Sequence, residues 1–170
     1  IGRSVLAASA AYTPAYHVAL CMVCLADVAH GDPTSAMALL AAGRRRLPPS
    51  VDDVRSCMLH GMTALVAEYS GDRHTGCVEA HEGLVLARRL GIPTLIALGL
   101  TISGHLLCRE NPERALAALE EAIALSDRVV IMSAGPAARI IGDWKVPLPR
   151  PRDIAEIKAE RAFHHLHREI

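Results

Sequence analysis

At 170 residues the chain has room for one domain, or one domain with an appendage, and for a real hydrophobic core. Hydrophobic residues make up 51% of it but aromatic residues only 3%, so the apolar content is mostly Ala, Leu, Val and Ile, which favours close-packed helices over an aromatic-rich all-β domain. Lys plus Arg number 18, the same as Asp plus Glu, a balance that offers no field toward nucleic acid or an acidic membrane.

From the N-terminus, the stretch Ser4 to Ala26 lacks Asp, Glu, Lys and Arg, as does Gly91 to Cys108. Each approaches the length of a membrane span, but each carries His, small polar residues and Pro, so a buried helix is expected and membrane insertion is not. Apolar residues at helical spacing predict helices near 14–30, 33–46, 51–70, 73–90, 93–109 and 112–126. The same punctuation recurs at Gly31-Asp32-Pro33, Gly71-Asp72-Arg73 and Glu110-Asn111-Pro112. Asp or Asn before the first helical residue is a strong N-cap, and Pro suits the first helical position. Asp32 to Asp72 is 40 residues and Asp72 to Asn111 is 39, a period that suggests stacked antiparallel helix pairs. Pro48-Pro49-Ser50 and Gly91-Ile92-Pro93 separate successive pairs. Arg44-Arg45-Arg46 falls at a helix C-terminus, where cations suit the dipole.

Beyond Ser126 the helical period stops. "RVVIMS" reads as a strand, Gly135-Pro136 as a turn and "ARIIGDWKV" as a second extended segment, together a β-hairpin. Val129, Ile131, Ile140 or Ile141, and Trp144 are expected to form its buried face. "PLPRPRD" has Pro at alternate positions and favours an extended segment. Asp153 and Glu156 form a capping-box-like start for a last helix, Ile154 to Ile170. The expected fold is mainly α: about three antiparallel helical-hairpin repeats over residues 1–126, with a C-terminal β-hairpin and helix over 127–170.

The first part, and "GIPTLIALGLTISGHLLCRENPERALAALEEAIAL" most of all, resembles tetratricopeptide-like repeats of large bacterial LuxR-type and related signalling regulators. That family packs its helix pairs through small residues. The matching slots hold Cys24, Ala36 and Gly43, then Ala64, Gly76 and Gly83, then Ser103, Ala115 and Ala122. The resemblance implies a non-catalytic protein-interaction scaffold whose first helices line a groove. The groove would present Val18, Cys21 and Leu25, then Met58, Gly61, Leu65 and Tyr69, then Leu100, Gly104 and Leu107, with Glu68 as its obvious charge. An amphipathic helix or extended apolar peptide would fit such a strip. The final helix, through Ile157, Phe163, Leu166 and Ile170, is a candidate to occupy it or to pair between chains.

The tail is similar to the end of ATP-binding subunits of nitrate, sulfonate and taurine ABC importers. Glu121, Ala122, Leu125, Ser126, Asp127, Arg128, Val129, Val130, Ile131 and Met132 carry the likeness, followed by "VPLPRPRD" and "LHREI", so it covers residues 119–170. The alternative functional reading is therefore a fragment of such a subunit. The family places a γ-phosphate-sensing histidine where this chain has Ala117, and no Gly-Lys dipeptide exists to begin a phosphate loop. No enzyme activity and no cofactor are expected. The expected partner is a protein or peptide, with association with a transporter or with a second copy.

His17, Cys21 and Cys24 share a helical face, and Cys57/His60, Cys77/His81 and His105/Cys108 are similar pairs. A structural zinc site needs four converging ligands, so these small thiols are read as core residues, and no metal is expected. Cys77 with His81 lacks an orienting third group for nucleophilic catalysis. Adjacent carboxylates at Asp52-Asp53 and Glu120-Glu121 diverge around a helix. "HHLH", His164 to His167, suits a helix C-terminus. An odd count of five cysteines and the lack of a signal-peptide pattern lead to the expectation of reduced thiols in the cytoplasm.

Overall fold

The protein is described by a computed structural model covering residues 2–8, 13–47, 53–133 and 137–170. The expected breaks at Pro48-Pro49-Ser50 and Gly135-Pro136, and Asp52 of the acidic pair, lie outside the described residues. The elements in chain order are α1 Gly2–Ala8, α2 Pro14–Ala29, α3 Pro33–Arg45, α4 Val54–Tyr69, α5 Arg73–Leu90, α6 Pro93–Leu107 and α7 Pro112–Leu125, then β1 Arg128–Met132, β2 Ile140–Lys145, α8 Ile154–Ala159 and α9 Arg161–Glu169. No described helix is long and apolar enough to cross a membrane.

Helices α2 to α7 form three pairs, and the recurring turn explains why. Gly31 and Gly71 adopt φ of 80° and 82°, the left-handed conformation that ends a helix at low cost only for Gly. The amide of the next residue then bonds back to a carbonyl five positions earlier, Asp32 to Asp27 and Asp72 to Ala67. Asp32, Asp72 and Asn111 immediately cap the following helices by accepting from the amides of Ser35, Thr75 and Arg114. The third turn has no Gly. There α6 stops at Leu107 rather than 109, because Glu110 and Asn111 both fold back onto the Leu107 carbonyl.

Within the stack, the first helices touch their counterparts, α2 with α4 and α4 with α6, while α3 and α5 each pack on the first helix of the next pair. Small residues permit this approach. Cys24, Ala36, Ala64, Ala115 and Ala122 are buried, as are Gly43, Gly76 and Gly83. A Cβ on Gly83 would stand 3.0 Å from the Cβ of His60. One element was not anticipated: the short α1 packs on α2, with Arg3 forking onto Asp27 at 2.7 and 2.8 Å.

The tail folds against α7. The strands β1 and β2 pair antiparallel, Arg128 with Lys145 through Ile131 with Gly142, with an irregularity between Ile131 and Met132. Val129 and Trp144 pack onto a cluster of Ala124, Val146, Leu148, Ile157, Phe163 and Leu166. Ile140 and Ile141 do not belong to the hairpin's buried face as expected; they are 58% and 61% exposed. They sit at the far end of the hairpin, where the irregularity has already broken the alternation. The buried positions belong instead to Val146 and Leu148, just past β2.

The expected last helix is two helices, broken at Glu160, whose ψ of 140° is extended. Ile157 and Phe163 are six residues apart, which on one straight helix would set them about 120° apart. The break brings both into the same cluster. The apolar residues proposed to fill the groove of the first helices, Ile157, Phe163, Leu166 and Ile170, are seated here against α7, covering part of the open end of the stack as repeat arrays require.

Candidate partner-binding surfaces

On the first-helix side, α2 presents Val18, Met22 and Leu25 at 56%, 60% and 42% exposure, spacing that makes one continuous apolar strip. Cys21 is half-buried. In α4, Met58 and Leu65 are half-buried and Tyr69 is exposed; Leu65 leans on the cluster of Ala64, Ala80, Ile102 and Leu106. Met58 and Leu98 line a small crevice between α4 and α6 with Gly61 and Gly99. Leu100 and Gly104 are buried and Leu107 half-buried, so in α6 the surface on offer is Leu98, Thr101 and His105.

Leu100 and Leu107 belong to a different feature, a cleft of about 520 Å³ bounded by α5 and α7. Its polar lining is His81, Arg88, Ser103, Arg114, Glu121 and Lys158. The second helices α5 and α7 each pack on α6 but scarcely on each other, which leaves this space open. Arg88 bridges it to Glu121 at 3.0 Å, and Lys158 reaches Glu120 at 3.3 Å.

Glu68 is not a free charge in a groove. Its Oε1 accepts from Arg73 Nη1 at 2.8 Å, and Arg73 also binds Glu110 and the Leu106 carbonyl. Its Oε2 is buried without a hydrogen-bond partner among the described residues. Arg73, held by Glu68, therefore ties the second pair to the third. A parallel tie joins the first pair to the second: Glu79 accepts from both ends of the Arg44 guanidinium, at 2.9 and 2.7 Å, and pairs with His60 Nδ1 at 2.7 Å. Burial alone would raise the Glu79 carboxyl, but the hydrogen bonds and charges of His60 and Arg44 win and hold it down at about 2.

Cys24, Cys57 and His17 are placed for packing and Cys77 is half-buried, whereas His81, His105 and Cys108 are exposed, so the reading of the thiols as core residues does not hold for Cys108. Cys24 is fully buried and donates to the Ala36 carbonyl at 3.6 Å; burial pushes its thiol up to about 12. Burial likewise raises Cys21 and Cys57, the reverse of what a metal ligand or nucleophile needs. Cys57 donates to the Gly83 carbonyl at 3.4 Å. His17 is 3% exposed, with Nδ1 3.2 Å from the Thr13 carbonyl. Among the described residues no group of three or more His, Cys, Asp or Glu is arranged to hold a metal. Glu120 and Glu121 turn to different partners, and Asp53 caps α4.

Sequence reasoning missed Arg152. Its side chain is 4% exposed and donates to the carbonyls of Ala124, Ser126, Val146 and Leu148 and to Asp127. The guanidinium thus closes the C-terminus of α7 and holds the chain leaving β2 against it. The available signal was the Arg within the Pro-rich segment.

No protein-family model matches the chain, and no solved structure matches it. Part of it is similar to curated transport proteins. It is 42% identical over 52 residues to the nitrate transport protein NasD of Klebsiella oxytoca, covering 31% of this chain and 20% of that protein. It is 34% identical over 67 residues to the bicarbonate transport ATP-binding protein CmpC of Synechococcus elongatus, covering 38% and 10%. With the nitrate import ATP-binding protein NrtC of Synechocystis it shares 40% identity over 52 residues, 31% and 8% of the two chains. The chain spans a fifth or less of the length of these relatives.

Proposed function

We propose that this chain is a non-catalytic piece of an importer ATP-binding assembly of the nitrate and bicarbonate transport type, and that it acts by binding protein. The observation that carries this reading is the partial similarity to ATP-binding transport proteins in a chain without a Gly-Lys phosphate loop and with Ala117 at the place of the phosphate-sensing histidine. The tail, docked on α7 through Phe163, Leu166 and Arg152, supplies the importer-type end. The tetratricopeptide-like pairs supply a platform. The test is titration of the purified chain with MgATP and, separately, with the ATP-binding subunit of a nitrate-type importer. No nucleotide binding and saturable subunit binding are expected. Saturable MgATP binding, or no association with the subunit, would overturn the proposal.

A second reading, a peptide-binding scaffold independent of any transporter, draws on the exposed strip Val18, Met22 and Leu25. A hydrophobic dye that binds wild-type protein and no longer binds Met22→Glu would favour it; equal binding would count against it.

A further inference from the structure

The hairpin has an edge with which no other described strand pairs. Among the described residues the sheet has two strands, and such a hairpin alone is marginal in water. Its flanking hydrogen bonds, Val146 to the Asp127 carbonyl and Ser133 to the Arg139 carbonyl, set the alternation of an antiparallel ladder. Asp127, Val129, Ile131 and Ser133 direct their backbone groups toward β2. Arg128, Val130 and Met132 therefore direct theirs outward.

That outward edge lacks the usual protection. Natural sheet edges carry Lys, Pro or inward charges that block pairing. The outer edge of β2 is guarded by Asp143 and Lys145, flanked by Arg139 and Pro147. In β1 the charge is confined to Arg128, which is folded onto Asp143 at 2.6 and 2.7 Å. Val130 and Met132 are 42% and 60% exposed, and Ile140, the partner of Met132, adds a further exposed apolar side chain.

From this geometry we propose that β1 pairs edge to edge with β1 of a second copy of this chain, giving a four-stranded sheet across a two-fold axis. The strand is self-complementary in one antiparallel register. Centring the axis on Val130 opposes Val130 to itself, Val129 to Ile131 and Arg128 to Met132. Val130 exchanges both backbone hydrogen bonds with its counterpart, and Arg128 and Met132 do the same on either side, so every outward group of the strand is used. Residues of equal parity meet, so the face carrying Val129 and Ile131 stays continuous. No like charges are opposed, and the chain's net charge of +0 adds no repulsion. A two-fold pairing closes, which limits the assembly to a dimer. This inference does not depend on the importer reading.

The test is mass measurement by sedimentation equilibrium of the 170-residue chain across a concentration series, up to about 100 μM, because a single strand pairing gives weak association. A species of twice the 18.2 kDa chain mass is expected. Val130→Lys, which restores an edge guard, and Val130→Pro, which removes the outward amide, should each weaken dimerisation at least about tenfold. Circular dichroism and Trp144 emission check that both remain folded. Met22→Lys, on the helical strip, should dimerise as wild type. In a Cys108→Ser background, Val130→Cys should give a 130-to-130 disulfide on mild oxidation, whereas Met132→Cys should not link to itself. A folded chain that is monomeric throughout, a dimer insensitive to both Val130 variants but lost in Met22→Lys, open-ended polymers, or linkage at 132 would overturn the proposal.

Discussion

Replacing Arg152 with Ala should release the tail while leaving the helix pairs folded. The guanidinium is 4% exposed. It serves the Ser126 carbonyl at 2.7 Å, Leu148 at 3.0 Å, Ala124 at 3.1 Å and Val146 at 3.3 Å. Two of those carbonyls end α7, where backbone acceptors have no intrahelical partner. The Asp127 contact adds little, because that carboxylate is 73% exposed. Each hydrogen bond to a charged donor is worth about 1.5–3 kcal/mol, but the four share one side chain and the ion is costly to bury. The net loss on truncation is therefore about 3–5 kcal/mol. Hydrogen exchange reads this directly. The Val146 amide, bonded to the Asp127 carbonyl at 2.9 Å, should exchange on the order of 10² to 10⁴ times faster, together with the rest of 128–170. Amides of α4 and α5 should be unchanged. Arg152→Lys should recover roughly half of the protection in free-energy terms, since one ammonium reaches the α7 carbonyls but not all four acceptors. Unchanged exchange at Val146, or equal acceleration in α4 and α5, would refute the reasoning.

Acid should weaken the tie at Glu79. Its folded carboxyl titrates at about 2 against an ordinary value of 4.5, so its contribution is complete above pH 4.5 and is lost as pH falls toward 2; the stability difference between wild type and Glu79→Gln in urea should shrink by about 1–3 kcal/mol over that interval. A difference that is flat with pH would contradict the network. Gly142 lies beneath the ring of Trp144, and a Cβ there would collide with the indole; Gly142→Val should cost the hairpin about 1–3 kcal/mol and red-shift the emission of the chain's single Trp, with an unshifted spectrum counting against this packing. At Gly71, φ of 82° with open space around the missing Cβ isolates backbone strain: Gly71→Ala should lower stability by about 1–2 kcal/mol and Gly71→Asn by less, measured by denaturant midpoint.

The helix pairs were legible because the information that makes them is local. Asp32, Asp72 and Asn111 cap helices through their own side chains, Gly31 and Gly71 reverse the chain through their own φ, and apolar spacing follows the helical period. Each acts within about five residues, so the turns and most boundaries could be read directly, and the small residues at Cys24, Ala64 and Gly83 followed from the repeat. The strands were legible for the same reason. What the sequence could not determine was which face each element would show. Leu100 and Leu98 are two residues apart and equally apolar, yet one is 2% and the other 49% exposed, because the rotation of α6 is set by packing against α5 and α7. Glu68 reads as a surface charge until Arg73, which also holds Glu110, is brought to it from the next helix. Ile140 and Ile141 looked better suited to a core than Val146, but the irregularity beside Ile131 and the reach of Arg152 decided otherwise. The last helix broke at Glu160 because one continuous helix could not turn both Ile157 and Phe163 toward α7. Side-chain burial and ion pairing depend on neighbours remote in the chain, and tertiary packing alone supplies them.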